Sequence, residues 1–203
     1  NVDPLAVVSP TRIDVQLFEP ARDVTRVHVE GKVLREGRTQ FFTEARLTDD
    51  ADRSRVIGTG GTHWAATGPN PGFSYVDNRP GAADTVDLPP LYEAFGARRR
   101  DDDRFEISEL TPALGRGGLH QGPFQVVPEA AAMVAAQQAA GTERVWMQHQ
   151  GTSIVQRGTA PPFVTEAELL RVTDDAVHVR VELRSKGGGD RLCSVTVCRF
   201  GIT

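Results

Sequence analysis

Residues 115–122 read Gly-Arg-Gly-Gly-Leu-His-Gln-Gly, and Glu129 follows His120 by nine positions. The alanine-rich run 128–140 closes on Gly141 and is the one clear helix of the chain. Alanine is the best helix former, and glycine is favoured just past a helix C-terminus. Pro128 suits a first helical position, where its missing N–H is not needed, so the helix is expected to begin there. Glu129 then falls in the first turn, beside free backbone N–H groups and the positive end of the dipole. A carboxylate so placed can serve as general base toward water, or as a nucleophile through an anhydride. Backbone donors around Gly122 can receive the charge that develops on a carbonyl oxygen. His120 can orient the carbonyl or the loop, and the Gln121 side chain can donate an N–H. The dipole alone would also favour an acid at this place, by about 0.3–1 kcal/mol.

The elements that must hold these groups are mostly strands. Residues 12–18, 24–34, 40–47 and 55–64 alternate polar and apolar with period two, and short acidic or glycine turns separate them. They read as an antiparallel meander. Residues 68–90 are broken by proline and glycine and read as a linker. Leu91 to Phe95 makes a helical turn stopped by Gly96, and 104–110 alternates again. After the helix come four more strands, near 145–156, 163–172, 176–184 and 191–200. The two strand sets read as a diverged duplication at a separation of about 135 residues. The expected division is 1–67 as a partial first repeat of strands only, 68–90 as linker and 91–203 as the second repeat. Gln148, His149, Gln150 and Thr152 lie on the strand after the helix. Alternate members face the helix, so Gln148 and Gln150 are candidate substrate-binding residues, although a polar sheet edge explains them equally. Ser9 and Thr11 occupy the matching strand of the first repeat.

Composition bounds the partners. The 203 residues make one domain or two small ones, with 39% hydrophobic and 25% charged residues. With 23 basic and 27 acidic residues, net −4, bulk electrostatics favours neither nucleic acid nor an anionic membrane. No apolar run approaches the roughly 20 residues of a membrane span. Cys193 and Cys198 sit five apart in one strand and are expected on opposite faces, without a disulfide. No Cys/His spacing suits a metal, so no metal site is expected. No secretory signal is present, so a reducing cytoplasm is the default. The first residue is Asn1 rather than Met, as in a trimmed, processed or partial gene product.

Gly117-Gly118-Leu119-His120-Gln121-Gly122, with Glu129 nine residues after the histidine, resembles the loop and helix of hot-dog fold acyl-CoA thioesterases. The likeness is nearest to the 4-hydroxybenzoyl-CoA and phenylacetate types. Their pattern is Gly-x-Leu/Val-His-Gly-Gly, then an Asp or Glu on the helix. The residues 11–21 and 24–38, including Phe18-Glu19-Pro20, also resemble strands of that family. The resemblance implies an α+β double hot-dog, an antiparallel sheet around a central helix, with the first repeat lacking its own strand and helix. Either about 60–90 residues precede Asn1, or another chain covers the bare face. It further implies hydrolysis of an acyl- or aroyl-CoA by Glu129, His120 and Gly122, with Gln121, Gln148, Gln150, Ser9 and Thr11 binding substrate. Coenzyme A enters only as part of the substrate, with no cofactor, and a homo-oligomer through the sheets is expected. Three features depart from the pattern: Gln121 stands where a glycine is expected, Pro128 precedes the carboxylate, and the first half lacks its own strand and helix. The first two favour the alternative, a non-catalytic acyl-CoA or lipid-binding hot-dog protein. A hydratase ranks lower, because no His follows Glu129 in the helix. A purely structural β protein is a further alternative.

Overall fold

The computed structural model describes residues 6–69, 88–111, 114–115 and 117–203. Most of the 68–90 linker therefore lies outside the described residues. The strands are β1 (Ala6–Leu17), β2 (Val27–Glu36), β3 (Gln40–Asp49) and β4 (Val56–Pro69), then β5 (Ala97–Arg99) and β6 (Phe105–Ile107). After these come β7 (Val145–Ile154), β8 (Phe163–Val172), β9 (Ala176–Ser185) and β10 (Arg191–Ile202). The helices are α1 (Leu91–Ala94) and α2 (Gln121–Ala140). All ten strands form one sheet, ordered β2-β3-β4-β1-β7-β10-β9-β8-β6-β5. The order about the β1–β7 seam is symmetric: β1 to β4 repeat outward on one side as β7 to β10 do on the other. The expected duplication is thus visible in topology, and its two sets join edge to edge through Arg12–Gln16 and Ser153–His149.

Residues directly opposite in antiparallel strands share a face. One row can be followed across eight strands: Gly31, Ala45, Gly60, Val15, Gln150, Cys198, Val179 and Leu169. In the second half α2 packs over this face, against β7 to β10. Phe124, Val127, Ala131, Ala132 and Ala136 of the helix join Val177, Val179, Val181, Leu183 and Phe200 of the strands in the core. Alanine keeps the helix close to the sheet. In the first half no described element packs on the same face, and Val27, Val29 and Val33 are 46%, 58% and 61% exposed.

The helix differs from its expected start. It begins at Gln121, seven residues before Pro128, which is buried inside it. His-Gln-Gly-Pro reads as loop, yet Pro123 stands in the first turn, where no N–H is required. Burial of Phe124 and Val127 at 3% and 0% exposure outweighs the bond that Pro128 removes. The far end is as expected. Gly141 takes φ 64°, and the N–H groups of Thr142 and Gly141 reach the carbonyls of Gln137 and Gln138, both at 3.3 Å. This is the paired closure that a left-handed glycine permits.

The cysteines also differ from expectation. The register of β10 against β9 shifts between Leu192 and Ser194, a bulge that turns Cys193 inward. Both thiols are free and fully buried in the core. Burial, and secondarily the charge of Glu129, pushes the Cys198 thiol up to about 12, and burial also raises Cys193. Only the thiolate is reactive. Both thiols should therefore resist an aromatic disulfide reagent at pH 8 in the native protein and react promptly in 6 M guanidinium. Fast reaction of either in the native state would contradict this packing.

Candidate functional site

The loop before α2 is anchored at two points. The His120 N–H donates to the Leu114 carbonyl and the Leu119 N–H to the Gly158 carbonyl, both at 2.8 Å. Gly118, at φ 158°, lies against the Arg157 side chain, where a Cβ would come within 2.5 Å of Nε. His120 is the helix N-cap: the Gly122 N–H donates to its ring Nδ1 at 2.9 Å. Its ring also meets Phe95 edge-on at 5.7 Å. Gly122 is inside the helix, with its N–H engaged by the cap. The cap is worth about 1 kcal/mol. His120→Asn should retain both stability and activity if capping is the residue's whole role, whereas His120→Ala should lose about that much stability. Urea unfolding and steady-state kinetics on both variants separate a cap from a group that meets substrate.

Glu129 is the ninth residue of α2, not in its first turn. At 1.5 Å rise per residue it lies about 12 Å beyond Gln121 and about 10 Å beyond Gly122. The dipole and free N–H groups of the N-terminus do not reach it. Its surroundings are the β7–β10 side of the helix. Gln150, 4% exposed on the inner face of β7, donates from Nε2 to the Gln125 carbonyl at 2.9 Å. Cys198, directly opposite Gln150, feels the charge of Glu129. The Glu129 carboxyl is half-buried and forms no hydrogen bond or ion pair among the described residues. Burial alone raises its pKa above the usual carboxylate value.

The other sequence candidates are dispersed. Gln121 is exposed at the helix start. Gln148 falls at a bulge, where β10 passes from the His149 partner to the Met147 partner, and it joins Trp146 on the outer face. There Trp146, Gln148 and His149, with Gln16, Leu17, Phe18 and Arg199, line a cavity of about 200 Å³ on the far side of the sheet from Glu129. His149 lies 3.6 Å from the Asp14 carboxylate on that face. β1 presents Val15 opposite Gln150, so Thr11 is four residues, about 13 Å, along the strand, and Ser9 farther still. Thr11 sits at a bulge and donates to the His63 carbonyl at 3.2 Å. Thr152 is buried and paired with the Thr196 hydroxyl at 3.0 Å. Of the named candidates the structure brings Glu129 and Gln150 to one place. It adds two that sequence reasoning missed, Gln125 and Cys198. Gln125 lies four residues before Glu129 on the same helix face, a spacing legible only once the helix starts at Gln121.

The fold has known counterparts. An acyl-CoA thioesterase II, TesB2, from Mycobacterium marinum superposes with a TM-score of 0.61 at 13% identity, over 99% of this chain and 82% of that one. A 12:0-ACP thioesterase from Umbellularia californica gives 0.60 at 8% identity, over 98% and 74%. A hot dog fold protein of unknown function from Alicyclobacillus acidocaldarius gives 0.56 at 12% identity, over 99% and 81%. The fold is a double hot-dog. At such identities the likeness extends to the fold alone. No family model and no curated protein sequence matches this chain.

Proposed function

We propose that this chain hydrolyses an acyl- or aroyl-CoA thioester with Glu129 as the general base. The observation that carries the reading is the Glu129 carboxylate: half-buried, unpaired among the described residues, and close enough to Cys198 of β10 for its charge to act on that thiol. A carboxylate held unpaired at a cost in desolvation is a candidate functional group. The thioesterases that share the fold support the class of reaction, and the loop resemblance supports the 4-hydroxybenzoyl-CoA or phenylacetate type within it.

Glu129 takes a proton from water as the water oxygen bonds to the thioester carbonyl carbon. The electron pair of the C=O bond moves to oxygen. When it returns, the C–S bond breaks, the sulfur leaves with that bonding pair, and the Glu129 proton passes to it. Acid and coenzyme A thiol are the products. The step needs no metal or redox cofactor. A raised carboxyl pKa strengthens the base. Two free cysteines accord with a reducing cytoplasm, and we propose that the chain forms a homo-oligomer through its sheets. Among the described residues no helix is long and apolar enough to cross a membrane.

The experiment is thiol release from a panel of aliphatic and aromatic acyl-CoAs. Turnover of at least one, with kcat/KM near 10⁴ M⁻¹s⁻¹ or above, is expected. Binding without thiol release across the panel would set the enzyme reading aside in favour of an acyl-CoA carrier.

A further inference from the structure

Hydrolysis at Glu129 leaves one group unassigned: the donor for the carbonyl oxygen. Gly122 is poorly placed for it. Its N–H is held by His120 Nδ1 at 2.9 Å, and it lies about two turns from Glu129. One turn from Glu129, however, the Gln125 side-chain amide nitrogen is buried and has no hydrogen-bond partner among the described residues. A buried amide without an acceptor is costly and uncommon. Its four-residue neighbour is a carboxylate without a donor, and the two groups do not bond each other. Their Cβ atoms are about 5–6 Å apart by helix geometry. The Gln125 backbone is fixed, because its carbonyl accepts from Gln150 Nε2 at 2.9 Å. The cost of desolvating the amide is already met in the folded chain, which is the condition for a preorganised donor.

We infer that Gln125 is a catalytic residue of the same site: its Nε2–H donates to the carbonyl oxygen of the bound thioester while Glu129 holds the attacking water. The inference rests on the thioesterase reading. A carbonyl placed between two such groups presents its oxygen to the amide and its carbon to the water, with reacting atoms about 3–3.5 Å apart. As negative charge grows on the oxygen, the amide bond to it strengthens, so its effect falls on kcat rather than on ground-state binding. Gln150 acts through Gln125, as a positioning residue.

The test uses the panel acyl-CoA turned over fastest and two analogues of it. In the ketone analogue a CH₂ replaces the thioester sulfur and the carbonyl is kept. In the thioether analogue a CH₂ replaces the carbonyl. Gln125→Met keeps the length and removes the donor. It should lower kcat by about 10²–10³-fold with KM changed by no more than about threefold. It should weaken the ketone analogue, a ground-state mimic, by no more than the same roughly threefold change as KM, and leave the thioether analogue unaffected. Unchanged kcat, or equal weakening of both analogues, overturns the assignment. Should Gln125→Met fail to fold, the carbonyl stretch of the ketone analogue bound to the wild-type protein decides. A shift to lower frequency than in water is expected, and no shift overturns it. Loss of function in Glu129→Gln with no effect in Gln125→Met sinks this inference alone. A wild-type protein inert toward the whole panel sinks the thioesterase reading and this inference with it.

Discussion

Glu129→Gln should lower kcat on the preferred acyl-CoA by about 10²–10⁴-fold and should make the fold more stable at neutral pH. The amide cannot accept the water proton, so the base is lost while size and hydrogen-bonding shape remain. The stability change has the opposite sign from that of a structural ion pair. Burial raises the Glu129 carboxyl above its unfolded value, so the folded chain binds the proton more tightly than the unfolded chain does. Below the ordinary carboxylate range the carboxyl is neutral in both states and costs little. As pH rises through the interval between the unfolded and folded values, stability is lost, and the whole cost is present above it. A neutral amide escapes that cost. In the same enzyme the acid limb of kcat/KM should lie above the ordinary carboxylate range, because the free-enzyme base titrates there. A kinetic profile and thermal melts from pH 4 to 8 provide both readings. A variant that keeps more than about a tenth of kcat, or one that is less stable at pH 7, removes Glu129 from this role.

The strands were legible because their signal is local. Period-two alternation located all eight long strands, with 163–172 matching β8 in both bounds, although β1 starts six residues before the expected 12–18 and β4 ends five residues after the expected 55–64. The glycine closing α2 and the glycine after α1, Gly96 at φ 68°, were legible for the same reason. The missed features are those decided by tertiary contact. Nothing near Pro128 announces that Phe124 and Val127 are core, so a proline signal placed the helix start seven residues late. That one displacement moved Glu129 from the first turn to the third and hid its relation to Gln125. Bulges did the rest. One extra residue at Gln148 sends it to the outer face while Gln150 stays inside, and another at Cys193 brings both cysteines to one face. Alternation identifies strands but does not locate bulges, and side-chain facing depends on them. The ion pairs of the 98–103 turn are local as well: Arg99 pairs with Asp103 and Arg100 with Asp102.

The core beneath α2 sets how firmly Glu129 and Gln125 are held, and Phe200 is one of its largest fully buried side chains. It is fully buried on β10, opposite Met147 of β7 and Val177 of β9, in the cluster that contains the helix alanines. Truncation to alanine loses the transfer free energy of the ring and leaves a void. Rotamer changes in the helix residues Ala131, Ala132 and Ala136 cannot fill that void, because alanine has no side-chain torsion that reaches into it. Beyond what Met147 can fill by repacking, the void closes only if α2 moves, and that strains the Gln150–Gln125 bond. Phe200→Ala should therefore sit at the upper part of the usual range, about 3–5 kcal/mol. For a chain of this size that lowers Tm by roughly 6–20 °C. Phe18, at the end of β1 and 51% exposed, is the control: Phe18→Ala should change stability by less than about 1 kcal/mol. Kinetics link the core to the site, since a helix displaced by 1 Å can cost about 10²-fold in rate. At a temperature where Phe200→Ala is still folded by near-ultraviolet circular dichroism, kcat should fall, and Phe200→Leu should fall less on both measures. A Phe200→Ala protein with Tm within about 2 °C of wild type would show that α2 does not rest on β10, and the placement of both site residues would fail with it.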